Sequence, residues 1–113
     1  MIKLKYLSEE EKKAVEEIKE RILSLSGIKL KGIYLFGSKA RGDYDPESDI
    51  DLAIIIDGLD RGMKRKIIDI VAEIETKYIV VVSSLVLSLK DFTDLKEHER
   101  RIALDIEREG LPV

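Results

Sequence analysis

The chain has no cysteine and no tryptophan, and only one histidine in 113 residues. Without thiols there is no disulfide framework, which fits a reducing cytoplasm. His98 has no second histidine or cysteine to join it, so a transition-metal site cannot be assembled, and its neighbours Glu97, Glu99, Arg100 and Arg101 mark it as a surface residue. No apolar run approaches the roughly 18 residues of a membrane span. The N-terminus alternates lysine with apolar residues and lacks the pattern of a signal peptide. There is no basic excess either: 20 Lys and Arg against 23 Asp and Glu leave a formal charge of −3, which argues against a general nucleic-acid binder and leaves room only for local basic patches. No repeat, low-complexity tract or linker divides the chain. The expectation is one domain over residues 1–113, burying roughly two thirds of its unfolded surface, too small for a catalytic domain plus a substrate domain.

What is present is periodic. Ser8 and Glu11 form a capping box, and Val15, Ile18, Ile22 and Leu25 recur at helical spacing until Gly27, predicting a helix over residues 8–26. Gly32-Ile33-Tyr34-Leu35-Phe36 reads as a short buried strand. Residues 50–56 are apolar apart from Asp51, as in a strand covered on both faces. Asp57-Gly58 marks a turn, and Asp60 caps a long helix with Met63, Ile67, Val71, Ile74 and Tyr78 on one face. Arg61, Lys64, Arg65 and Lys66 at its start read as a solvated face, with contact to a partner or RNA the less favoured reading. Residues 79–87 have the β-branched character of a further buried strand. Asp91 caps a final amphipathic helix carrying Leu95, Ile102 and Ile106 that ends near Gly110, with Pro112 beyond. The fold class is therefore α+β: a small mixed sheet with helices mainly on one face, leaving a site on the other.

The chemistry concentrates in Gly37-Ser38-Lys39-Ala40-Arg41-Gly42 and Ser48-Asp49-Ile50-Asp51-Leu52. Gly37 turns the chain out of a strand and lets an anion approach the backbone. Ser38 stands where a short helix begins and caps one amide, while Arg41, a turn later, adds a fixed positive charge. Asp49 and Asp51 project from one face of the next strand, about 6–7 Å apart along it, so both carboxylates can meet one hard cation. A calcium loop starting at Asp43 is excluded, because its sixth position is Ser48 and its twelfth Ile54. A phosphate loop is excluded because no Gly-Lys-Ser/Thr follows.

These residues resemble the nucleotidyltransferase superfamily of the DNA polymerase beta type, and within it the minimal nucleotidyltransferases. The likeness is densest from Gly32 to Ile56. It implies that Gly37 and Ser38 bind the triphosphate, that Asp49 and Asp51 carry magnesium, and that AMP moves from ATP to an acceptor hydroxyl. It also implies a helical partner protein of the HEPN kind with ribonuclease-like toxicity, which such small chains accompany as antitoxins. Complete members of the family place a third carboxylate on the strand over residues 79–87, where this chain offers only Ser83 and Ser84. A serine hydroxyl supplies no negative charge and is a poor base. Activation of the acceptor would then fall to Asp43, Asp45 or Glu47, or to a group on the partner. Two further readings stay open: a binding module that neutralises its partner by contact alone, and transfer to a small molecule such as an aminoglycoside, disfavoured by the lack of a substrate domain.

Overall fold

A computed structural model describes residues 6–42 and 48–113. In chain order it holds α1 (Glu9–Leu23), β1 (Leu30–Phe36), α2 (Ser38–Arg41), β2 (Ile50–Ile56), α3 (Arg61–Tyr78), β3 (Val82–Ser88), α4 (Leu89–Glu97), α5 (Arg101–Glu109) and β4 (Leu111–Pro112). The strands form one mixed sheet in the order β3-β2-β1-β4. β1 runs antiparallel to β2 and to β4, and β2 runs parallel to β3.

β2 lies between two strands, and six of its seven residues are buried, Asp51 being the exception. Ile50, Leu52, Ile54 and Ile56 meet Val15, Ile18 and Ile22 of α1 and Ile67, Val71 and Ile74 of α3 on one face. Ala53 and Ile55 point the other way, into a second core with Phe92 of α4 and Ala103 and Ile106 of α5. The two longest helices thus share one face, as expected. The opposite face is not bare, because α4 and α5 cover it from Ala53 and Leu85 onward. Among the described residues no helix is long and apolar enough to cross a membrane.

Local chemistry explains where the elements start and stop. The capping box of α1 forms as read: Ser8 Oγ accepts from the Glu11 amide at 3.1 Å, and Glu11 Oε1 accepts from the Ser8 amide at 2.9 Å. The helix stops at Leu23, short of residue 26, and Ser24 Oγ donates to the Glu20 carbonyl. Asp60 caps α3, accepting from the Met63 amide at 2.7 Å.

Four further expectations need correction. Asp91 does not cap α4. That role falls to Ser88, which accepts from the Asp91 amide at 3.0 Å. The final helix is two helices, broken where Glu99 adopts φ 52°. There Arg100 N–H donates to the Leu95 carbonyl and Glu99 N–H to the Lys96 carbonyl, a helix-ending pattern normally built on glycine. The third strand starts at Val82, not Ile79: Ile79 closes α3 in the left-handed region (φ 54°) with its side chain 91% exposed. Ser38 does not cap α2, since the capping position is Gly37 and no side chain bonds there. β4 was not anticipated; its two residues pair with Tyr34 and Leu35.

Candidate active site

β1 delivers the chain to the turn at Gly37, whose φ of 75° and ψ of −158° lie where essentially only glycine is stable. The turn lies on the second strand's carboxylate. A Cβ at Gly37 would collide with Asp51 Oδ2, so the backbone angle demands glycine and any larger residue would also push the Asp51 carboxylate aside. Phe36, just before the turn, is paired in register with Asp51.

Asp51 is half-buried and Asp49, two residues earlier on the same face, is exposed. Loss of hydration raises the Asp51 carboxyl above the ordinary aspartate range, Asp49's charge raises it further, and Arg41 opposes both. Burial is thus the main cause, with a neighbouring like charge second and a single opposing cation third. Among the described residues no cluster of three or more His, Cys, Asp or Glu side chains could hold a metal. Two hard oxygen donors at a strand end nevertheless suit magnesium, which typically takes one or two carboxylates and completes its shell with phosphates and water. The donor set therefore fits that ion.

Ser38 Oγ lies 3.4 Å from Ser48 Oγ, joining the turn to the start of β2. Arg41 is held by an ion pair to Glu109 of α5 at 2.9 Å, which keeps its charge near Asp51. Asp43, Asp45 and Glu47, the loop carboxylates considered as bases, lie outside the described residues. Of the two serines on β3, the structure brings only one to the site. Ser83 is paired with Asp51 and shares its face with Leu85 and Leu87, whereas Ser84 faces α1 and α3 along with Val82 and Val86. Arg61, Lys64, Arg65 and Lys66 are all exposed or nearly so, and they lie on α3, apart from the turn and carboxylates. His98 is exposed at the end of α4, with Nδ1 2.8 Å from the Asp94 carbonyl.

Sequence reasoning passed over Lys39. Its side chain is 2% exposed and ion-paired with Glu11 Oε2. Removing a partner from a buried pair leaves an uncompensated charge, so this bond ties α2 firmly to the start of α1. Nothing local marks it, since a lysine on a four-residue helix reads as solvent-facing. Only Glu11, already visible as half of a capping box, hinted at a second use.

A family model for the nucleotidyltransferase domain matches residues 15–108. Two proteins of Methanocaldococcus jannaschii, each named a "putative protein adenylyltransferase", are similar to this chain. One is 38% identical over 73 residues, covering 64% of this chain and 74% of the relative. The other is 41% identical over 78 residues, covering 69% and 74%. A crystal structure of a Sulfolobus solfataricus protein described as a "putative nucleotidyltransferase" superimposes with a TM-score of 0.54 at 25% identity, covering 88% of this chain and 76% of that one.

Proposed function

Because the chain belongs to the nucleotidyltransferase domain family, we propose that residues 1–113 act as one domain in the cytoplasm, moving AMP from ATP to a hydroxyl on a partner protein. The observation that carries this reading is the packing of the Gly37 turn onto Asp51, with Asp49 on the same face. An anion-binding turn and a cation-binding pair are thereby held against each other.

In this reading the backbone at Gly37 and Ser38 holds the leaving phosphates, and Arg41 balances charge beside them. Asp49 and Asp51 hold magnesium, which when bound neutralises the triphosphate. The acceptor oxygen forms a bond to the α-phosphorus while the bond to the α–β bridging oxygen breaks. Pyrophosphate leaves, and the acceptor's proton passes to a base. Ser83, in register with Asp51, cannot serve as that base at neutral pH, so the base is a group on the partner or a loop carboxylate among Asp43, Asp45 and Glu47. The partner we favour is a helical protein of the HEPN kind encoded beside this chain, with which it would form a toxin–antitoxin pair.

The same serine supports a second reading, in which the domain neutralises its partner by contact alone and the aspartates are remnants. One experiment separates the two. With magnesium, ATP labelled on the α-phosphate, and the neighbouring gene's product, label should move onto that protein, and Asp49→Asn should abolish the transfer. If no label moves, and Asp49→Asn and Asp51→Asn protect against the partner as well as the parent does, transfer is wrong and contact is right.

A further inference from the structure

Among the described residues β3 is an edge strand, with β2 on one side and no strand on the other. Native edges are normally blunted by lysine, proline, inward charges or brevity, because a row of open amides and carbonyls invites another chain. The opposite edge obeys this rule: β4 is two residues long and one of them is Pro112. β3 does not. Its seven residues, Val82-Ser83-Ser84-Leu85-Val86-Leu87-Ser88, contain no charge, no proline and no glycine.

The ladder phase shows which groups face outward. The Ile50 amide donates to the Val81 carbonyl, so in this parallel pair the odd-numbered residues of β3 bond inward to β2 and the even-numbered ones point away. Of the outward amides, that of Val82 is already taken by Glu75 Oε2 at 3.0 Å. Ser84 and Val86 follow on the same side. At the start of this edge stand the most exposed apolar side chains of the described residues, Ile79 at 91% and Val81 at 58%. The register then sets Ser83, small and uncharged, directly between the outer edge and Asp51.

We propose that β3 is the docking edge for the acceptor: an extended segment of the partner protein pairs with the outward groups of Ser84 and Val86 as an added strand. A strand added there lies about 4.8 Å beyond β3. Its side chain beside Ser83 stands on the same face as Ser83 and Asp51, about 10 Å from Asp51 across the serine, within reach of a long hydroxyl-bearing side chain leaning over it. Ile79 and Val81 are covered by the same segment. Main-chain pairing supplies the affinity, as in other strand-addition interfaces, and the register chooses which hydroxyl reaches the site.

This inference rests on the transfer reading only for its chemical outcome, so two readouts are needed. The first is residue-resolved amide exchange with the neighbouring gene's product as the probe. The Ser84 and Val86 amides should exchange fast in the free chain and at least tenfold more slowly with the partner, while Leu85 and Leu87 stay slow in both. The second is label transfer by Ser84→Pro, which removes an outward donor and leaves the inward ladder intact. It should keep the parent's melting shift with Mg-ATP but lose at least tenfold in labelling, whereas Ser84→Thr keeps both. Unchanged exchange at Ser84 and Val86 on adding the partner overturns the inference, and decides the matter alone if Ser84→Pro does not fold. Protection that grows with the chain's own concentration also overturns it, assigning the edge to a second copy. A parent with no Mg-ATP shift overturns the transfer reading instead, and leaves the exchange result to stand or fall separately.

Discussion

Gly37→Ala tests the core of the site in one substitution. At φ 75° and ψ −158° a Cβ forces a conformation costing about 1–3 kcal/mol, and it also strikes Asp51 Oδ2. For a chain of this size each kcal/mol moves the melting temperature by about 4 °C, so the variant should melt roughly 4–12 °C below the parent. The carboxylate must also move, so the stabilisation by Mg-ATP should disappear. That stabilisation is about 2.7 kcal/mol at a hundredfold excess over Kd. Two controls divide the cost. Gly27→Ala also carries a positive φ, 77°, but meets nothing within 4 Å, so it should lose only the conformational share and keep the ligand shift. In an Asp51→Ala background, Gly37→Ala should cost about 0.5 kcal/mol less or better, since contacting residues couple. The assay is calorimetric melting of the four variants with and without Mg-ATP. A Gly37→Ala protein that melts within a degree of the parent and keeps its ligand shift would refute the packing argument.

Three other outcomes follow from the same geometry. Asp51→Asn should stabilise the unliganded protein at pH 7, because its carboxyl is raised by burial and by Asp49. The penalty is absent when both states are protonated, sets in above the ordinary 3.8, and is complete above the raised folded value. The advantage should therefore vanish on melting in acid below 3.8, and the Mg-ATP shift should be lost at every pH. Lys39→Met strands the half-buried Glu11 and should cost about 2–3 kcal/mol in urea unfolding, with part recovered by adding Glu11→Gln. Ile79→Gly should raise stability by about 1 kcal/mol, since a branched side chain in the left-handed region contributes strain and, at 91% exposure, almost no burial; unchanged unfolding free energy would count against that strain.

The features legible in the sequence are those fixed by local pattern. β2 was readable to the residue because a strand buried on both faces leaves an apolar run broken only where Asp51 must face the site. The Ser8 capping box and the Asp60 cap each depend on neighbours within three residues, and each formed; Asp49 and Asp51 stand on one face of the strand entrance, as their spacing of two predicts. What escaped depends on distant contacts. Glu99 and Ile79 occupy helix-ending positions that glycine usually marks, so nothing in their identity betrays the turn. β4 exists because the chain returns to Tyr34 after α5. The two serines of β3 are equivalent in sequence, and only the pairing register separates Ser83 from Ser84.

Glu11 carries a further implication for anyone wishing to watch this molecule work. One of its oxygens closes the first turn of α1 and the other holds Lys39 behind the Gly37 turn. A single side chain thus couples the fraying of a peripheral helix to the stiffness of the Gly37 turn. Whatever firms the turn should also quiet the helix end, and the coupling between them is reciprocal. A reporter at Glu9 or Glu10, exposed and apart from the candidate site, could then read occupancy of that site through the start of α1 without touching any of its residues.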